Sequence, residues 1–326
     1  VGAEAAGESG AFVRLAAFFG VLCVLLIIEV ASPLRERRAL PRLKRWPGAL
    51  SLMVLGTLAM RLVAPLGLVG WALWLEAEGF GGFALIERQF GIEQTSGQQG
   101  QAQQGDGREA FLLGWWLFKL SICVLLLDLA IWAQHVASHH VGWLWRLHRV
   151  HHADPDMDVS TALRFHPLES LLSLGWKVVV VAILGAPAVA VLLFEILLNA
   201  AAMFNHANIR MPGWLERILG IVVITPRQHR VHHAMGNPEP AHRMRADVMQ
   251  NYGFSINLWD RLAGCFRAEP TGGITSARYG LMHWRDAAEQ SPLALLRQPF
   301  EGEAQTAAKA SAARTKASTM PSSRLE

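Results

Sequence analysis

The sequence predicts an all-α protein: a polytopic integral membrane helical bundle with a histidine-rich cap on its cytoplasmic side. Three observations carry that reading. Hydrophobic residues make up 52% of the chain and charged residues only 17%, against about 25% charged in an ordinary soluble domain. The apolar residues gather into runs long enough to cross a bilayer. Six residues are spelled twice, His148-Arg149-Val150-His151-His152-Ala153 and His229-Arg230-Val231-His232-His233-Ala234.

Each repeat reads H-x-x-H-H. On a helix, positions i, i+3 and i+4 share one face. His135 and His139, one turn apart, add a third cluster just upstream. With 13 histidines in 326 residues, such a triple arises by chance at roughly six in 100,000 positions, so two copies are not composition noise. Imidazole suits Fe, Zn, Cu and Ni, and eight clustered imidazoles are too many for one ion. The cap is therefore expected to bind metal, as a two-metal, all-nitrogen site.

The elements follow in order. Residues 1–10 are small and polar and are expected to be disordered. FVRLAAFFGVLCVLLIIEVA, ending at Ala31, can span a bilayer, and Pro33 ends it. It lacks the basic leader and the cleavage site of a signal peptide. Arg35, Arg37, Arg38, Arg42, Lys44 and Arg45 form a short basic loop, which the positive-inside rule places in the cytoplasm. A second apolar stretch runs from Trp46 to about Leu75, broken by Arg61 and Pro65. Its length leaves the last third for the membrane interface. Residues 76–109, with the tract GIEQTSGQQGQAQQGDG, cannot build a core and are expected as a flexible loop on the opposite side.

A third span covers about Ala110 to Ala133 and contains Lys119 and Asp128. Ionisable residues within a span are functional candidates by default. Asp128 lies seven residues before His135, on a similar helical face, where it could orient that ring. His135 to His152 then leaves the membrane as a helix or helix pair, with Trp143 and Trp145 marking the interface. ADPDMDV is a turn. Leu171 to Phe204 is too long for one span and carries a turn signal at Gly185-Ala186-Pro187, so it reads as a helical hairpin with Glu195 and Asn199 as a buried polar pair. Residues 209–228 read as an amphipathic helix along the membrane, and the tail from about Glu301 as disordered. With the basic loop inside, all three histidine clusters fall on the cytoplasmic face.

Composition and motifs exclude several classes. The net charge of +4 is local, and no nucleic-acid motif is present. Cys23, Cys123 and Cys265 form neither a thiolate metal site nor a disulfide framework. Neither triple contains the H-E-x-x-H of a zinc protease, and structural zinc sites keep no surplus ligands. A pair of redox metals at the membrane surface remains, able to activate dioxygen on an apolar substrate.

The order H-x-x-x-H, H-x-x-H-H, F-H-P-x-E, N-H-x-N, H-x-x-H-H, N-Y-G and W-D-R-L resembles the fatty acid hydroxylase superfamily, the sterol desaturase-like membrane proteins. The resemblance covers roughly residues 110–270 and, more weakly, the R-x-x-R-W segment at Arg42. It implies a non-haem di-iron oxidoreductase that hydroxylates or desaturates a sterol or fatty acyl C–H bond. The cofactors implied are two Fe ions, with Zn possible as purified, and O2 as co-substrate. The implied metal ligands are His135, His139, His148, His151, His152, His229, His232 and His233, joined by His206 and His166. Asp128, Glu169, Asn199 and Asn251 are candidates for holding those ligands in place. The partners implied are a lipid from the bilayer and a separate electron donor of the cytochrome b5, ferredoxin or reductase type.

Three departures stand out. Val136 replaces a frequent arginine and His140 offers an alternative to His139. W-D-R-L continues as Ala263-Gly264-Cys265, and the loop after His233 is long and carries His242. The expected organisation is membrane spans over 1–109, a catalytic domain over 110–270 and a C-terminal extension over 271–326. The expected location is a bacterial inner membrane, or the endoplasmic reticulum of a eukaryote. The rival reading is a non-catalytic membrane protein that stores, transports or senses zinc or iron.

Overall fold

The structure, a computed structural model, describes residues 2–35, 39–92, 106–235, 247–274, 276–281 and 283–302. Most of the Gln/Gly-rich tract, His242 and the tail beyond 302 lie outside them. Among the described residues the fold is helical, and the two named strands are dipeptides, β1 (Ala234–Met235) and β2 (Arg278–Tyr279), paired antiparallel.

Five stretches are long and apolar enough to cross a membrane: Gly10–Ala31, Arg42–Phe90, Gly107–His140, Pro167–Leu184 and Ala188–His206. Their outward faces carry exposed large apolar side chains such as Phe12, Ile27, Leu62, Phe111 and Ile183. Apolar exposure on that scale is what lipid requires and water penalises. The chain is an integral membrane protein.

The first helix, α1 (Gly2–Ala31), already contains residues 2–10, which were expected to be disordered. The second stretch is α2 (Arg42–Val63) followed by α3 (Gly67–Ala77). Pro65 separates them, having no N–H to continue the ladder. The pair makes one interrupted crossing alongside α7 (Pro167–Leu184). Gly56 lies beside Ser170 near the start of α7, Trp71 Nε1 donates to Val178 O (3.1 Å) midway, and Glu76 accepts from Ala188 N (3.0 Å) at the far end. Leu68, Ala72 and Leu75 of α3 are at most 1% exposed, so α3 completes the crossing inside the bundle. The interface position expected for it is corrected by this packing.

Residues 76–109 also hold more order than their composition suggests. Gly82–Phe90 form α4, whose Glu87 pairs with Lys119 and accepts from Trp115 Nε1. Gly81 (φ 110°) packs so closely on Gly185 that a Cβ there would come within 2.3 Å of its Cα. Only glycine permits that approach.

The helix α5 (Asp106–His140) runs unbroken through the third span. Val141 interrupts it before α6 (Gly142–His152). The expected hairpin is α7 and α8 (Ala188–His206), turned at Gly185 with φ 66°. The core of the bundle lies between α3, α5, α7 and α8, around Leu68, Leu127, Val181, Val191 and Phe194. Of the segment 209–228, only α9 (Gly213–Leu219) is helical before the histidine-bearing α10 (Pro226–His233). Gly220 ends α9, and Val223 then bridges to Ile256.

Crossing directions follow from the contacts. The end of α1, the start of α2, the end of α5, the start of α7 and the end of α8 meet at one pole. Glu29 near the end of α1 accepts from Val159 N (2.8 Å) and Asn208 N (2.6 Å), and from Arg42 of α2 (2.9 Å). Arg45 holds Asp154 through two bonds of 2.8 and 2.9 Å and also pairs with Asp158. Arg35, at the edge of the basic loop, bonds Ala277 O. Arg35, Arg42 and Arg45 of the basic segment therefore share one end of the bundle with the histidines, while Arg37 and Arg38 lie outside the described residues.

Candidate metal centre

Nine histidines converge at that pole in two groups. His135, His139, His148, His152 and His232 form one, and His151, His206, His229 and His233 the other. All nine are buried, at 6% exposure or less. Within each group the candidate ligand nitrogens lie within 4.8 Å of one another.

The repeated hexamer does not give one group per copy. In α6, His148 and His152 (i and i+4) join the five-histidine group, while His151 turns to the four. In α10 the assignment is reversed: His229 and His233 join the four, and His232 the five. Each triple therefore stitches both groups together. Local capping sets α10 at its start: Thr225 and Gln228 exchange side-chain and backbone bonds, with Pro226 at the first helical position.

The Nε2 atoms face one another at short range. His135 to His148 is 3.0 Å, His135 to His232 3.0 Å and His148 to His152 3.2 Å. His206 lies 3.1 Å from each of His151, His229 and His233. The contacts of His135 with His148 and His232 are not hydrogen bonds between rings. His135 Nδ1 donates to Tyr252 O (2.6 Å), His232 Nδ1 to Gln250 O (2.8 Å) and His206 Nδ1 to Ala202 O (2.6 Å). A carbonyl can only accept, so each of those protons sits on Nδ1 and each Nε2 presents a lone pair. His148 Nδ1 is matched in the same way to Glu169 Oε1 (2.6 Å).

Opposed lone pairs at 3 Å are repulsive without a cation between them. Metal–nitrogen bonds of about 2.1 Å set neighbouring donors about 3.0 Å apart at right angles, the spacing seen here. Both ring nitrogens of His139, and Nδ1 of His151 and His229, are buried without a hydrogen-bond partner, and ligation would satisfy one of the two on His139. The donor set thus fits two ions.

Outside the membrane spans, burial holds His151, His152, His229 and His233 well below the usual imidazole range, helped by neighbouring imidazoles, and brings His232 down to about 3. The rings are therefore neutral, as ligands must be. Phe165 stacks on His151 at 4.5 Å and Phe254 on His135 at 4.7 Å, closing apolar walls around the groups.

Several expected site residues lie elsewhere. His166 is not in either group: it caps α7, accepting from Leu168 N (3.2 Å), and its other nitrogen faces Leu296 O. His140 is exposed and bonds its own helix at Val136 O, so His139 is the member of that pair that joins a group. Asp128 accepts from Trp259 Nε1 (2.8 Å), and among the described residues it hydrogen-bonds no histidine. Asn199 is exposed and bonds Glu195 O in its own helix, while Glu195 pairs with Arg14. The buried Glu195–Asn199 pair is thereby corrected. Trp145 packs on His139 and His152 (5.1 and 5.5 Å).

Glu169 Oε1 lies 2.6 Å from His148 Nδ1, at the edge of the five-histidine group. Asn251 sits between two of the carbonyl partners, Gln250 and Tyr252. Held at φ 52°, it donates to Gln228 O and Arg267 O and accepts from Arg267 N, which fixes the flanking carbonyls of Gln250 and Tyr252. Sequence reasoning did not foresee those carbonyls, because any residue type supplies one. Nor did it foresee Arg45, although the R-x-x-R-W segment and the aspartates of ADPDMDV are its two halves.

The fatty acid hydroxylase family model matches residues 120–265, which contain all nine histidines. An ornithine lipid hydroxylase from Rhizobium tropici is 27% identical over 159 residues, 48% of this chain and 44% of that protein. Alkylglycerol monooxygenase from Homo sapiens is 31% identical over 157 residues, 48% of this chain and 31% of that protein. Cholesterol 25-hydroxylase from Rattus norvegicus is 28% identical over 171 residues, 50% of this chain and 51% of that protein. The matches thus span about half or less of these relatives' own length. No solved structure matches.

Proposed function

From the premise that the chain belongs to the fatty acid hydroxylase superfamily, we propose that it is a membrane-bound oxygenase that hydroxylates a lipid C–H bond at a histidine-held pair of irons. One observation carries the reading: nine buried imidazoles aim their ligand nitrogens into two groups at the spacing of metal-bound donors. In this reading those nine histidines are the ligands, five for one ion and four for the other. Hydroxylation is favoured over desaturation because the relatives described above are named as hydroxylases and monooxygenases.

The bound irons would supply reductive activation of O2, so that a lipid R–H, O2, two electrons and two protons give R–OH and water. The protein's part is binding and exclusion. Glu169 and the carbonyls of Gln250, Tyr252 and Ala202 keep protons on Nδ1, leaving Nε2 free for metal. Phe165, Phe254 and the buried cap keep bulk water away from the reacting carbon. The site lies at the ends of α5 and α8, so an apolar chain reaches it from the bilayer. We place the site on the cytoplasmic face of its membrane, a bacterial inner membrane or the endoplasmic reticulum of a eukaryote, because basic residues of the loop between α1 and α2 share its pole. Electrons come from a separate donor of the cytochrome b5, ferredoxin or reductase type.

The test is reconstitution of the purified, iron-loaded chain in nanodiscs of mixed lipids, with a generic reductase system under 18O2. Incorporation of one labelled oxygen into a lipid, abolished in His232→Ala, is the expected result. Two bound ions with no O2-dependent lipid product would return the chain to the metal-binding class.

A further inference from the structure

The loop after the second triple carries N-Y-G at 251–253 and is followed by W-D-R-L from Trp259. The carboxylate of Asp260, 0% exposed, accepts from Tyr252 N (2.9 Å) through Oδ1 and from Gly253 N (2.9 Å) through Oδ2. Trp132 Nε1 of α5 also donates to Oδ1 (2.8 Å). A Cβ at Gly253 would come 2.6 Å from Ile256 O and 3.0 Å from Asp260 Oδ2, so the turn admits only glycine. Two anchors therefore act on one short segment, Asn251 through its side chain and Asp260 through the next two amides. The carbonyls they hold are those of Gln250 and Tyr252, which accept the Nδ1 protons of His232 on α10 and His135 on α5.

We infer that Asp260 and Asn251 are positioning residues for the five-histidine group, which aim His135 and His232 from two different helices by fixing the backbone between their carbonyl partners. The inference rests on the metal-centre reading above. It is selective because, among the described residues, no ring of the four-histidine group hydrogen-bonds residues 250–253. There, His206 is oriented by its own helix at Ala202 O, and Nδ1 of His151 and His229 has no partner. The two metal positions are consequently inequivalent, with the loop supporting one of them.

The test uses the full chain in detergent, stripped with chelator and titrated with Co2+, reading ions bound per chain and the visible absorption of each cobalt. Wild type is expected to bind two. Asp260→Asn places an amide N–H₂ where one of the backbone amides needs an acceptor. Asn251→Ala removes the other anchor. Each is expected to weaken one cobalt by about 10- to 100-fold, the usual effect of losing an outer partner of a metal-bound histidine, and to change its absorption band. The other cobalt should keep wild-type affinity and spectrum.

Combination with His151→Ala should then lose one ion and weaken the other by about the same 10- to 100-fold, whereas combination with His232→Ala should add little to His232→Ala alone. Unchanged affinity for both ions would overturn the inference. So would equal loss of both, through misfolding or otherwise, since a merely structural loop predicts that. A wild-type chain that binds no Co2+ would instead sink the metal-centre reading itself.

Discussion

His135 and His232, 97 residues apart, place their Nε2 atoms 3.0 Å from each other while each Nδ1 is committed to a backbone carbonyl. Neither ring has a proton to give the other, and a second proton on either would be a buried cation among imidazoles. The arrangement is stable with a metal ion between the rings and costly without one.

Glu169 is the sole carboxylate bonded to a histidine of either group among the described residues. Its replacement by alanine should leave His148 free to rotate and weaken metal binding about 10- to 100-fold. Competition with a coloured chelator measures this directly. Glu169→Gln keeps an acceptor and should fall between wild type and alanine.

The metal-free protein should lose stability as pH falls. His151, His152, His229, His232 and His233 have depressed folded-state pKa values, with His232 near 3. Unfolded histidine takes up its proton near 6.5. Below that pH the unfolded state binds protons that the folded state refuses, so stability falls between about 6.5 and the folded values. Each such group costs up to about 1.4 kcal/mol per pH unit in that window. Thermal unfolding of chelator-treated protein at pH 8 and pH 5 should show a large drop in Tm, and a pH-independent Tm would contradict the neutral cluster.

Arg45 is 1% exposed and satisfies Asp154 and Asp158 together, just after the first triple. Arg45→Met would take the doubly bonded arginine from buried Asp154 and the nearer arginine from Asp158, which keeps Arg42 at 3.8 Å. A loss of about 3–5 kcal/mol is expected, seen as a lower unfolding temperature and, at growth temperature, as poor recovery of folded protein.

Three residues should behave as non-ligands. His166→Ala removes a helix cap and should cost about 1 kcal/mol. His140→Ala and Asn199→Ala, both exposed, should change stability by less than about 0.5 kcal/mol. All three should retain the full metal content by elemental analysis. Loss of an ion in any of them would require the grouping to be redrawn.

Much of the architecture was legible because its signals are local. The lengths of the apolar runs gave the spans, Gly185 and Pro187 the hairpin, and the repeated hexamer the centre. What was hidden depends on chain segments far apart in sequence. The burial of α3 comes from packing on α7 and α8, which the hydropathy of Leu66 to Leu75 cannot report. Asn199 and Glu195 look like a polar pair on one helix, but Arg14 of α1 takes the glutamate. His166 sits beside Pro167 at a helix start, a capping signal that the abundance of nearby histidines obscured. The division of each triple between two groups is set by how α6 and α10 face each other, and no spacing within either triple contains it.

The most direct measurement is metal content of detergent-purified protein carrying paired alanine substitutions. Wild type should hold two ions per chain. His148→Ala/His232→Ala, both in the five-histidine group, should retain one ion. His148→Ala/His151→Ala, from one hexamer but different groups, should retain none. The reverse pattern, with the hexamer pair keeping one ion and the His148/His232 pair losing both, would show that each hexamer binds its own metal and would contradict the interleaved centre described here.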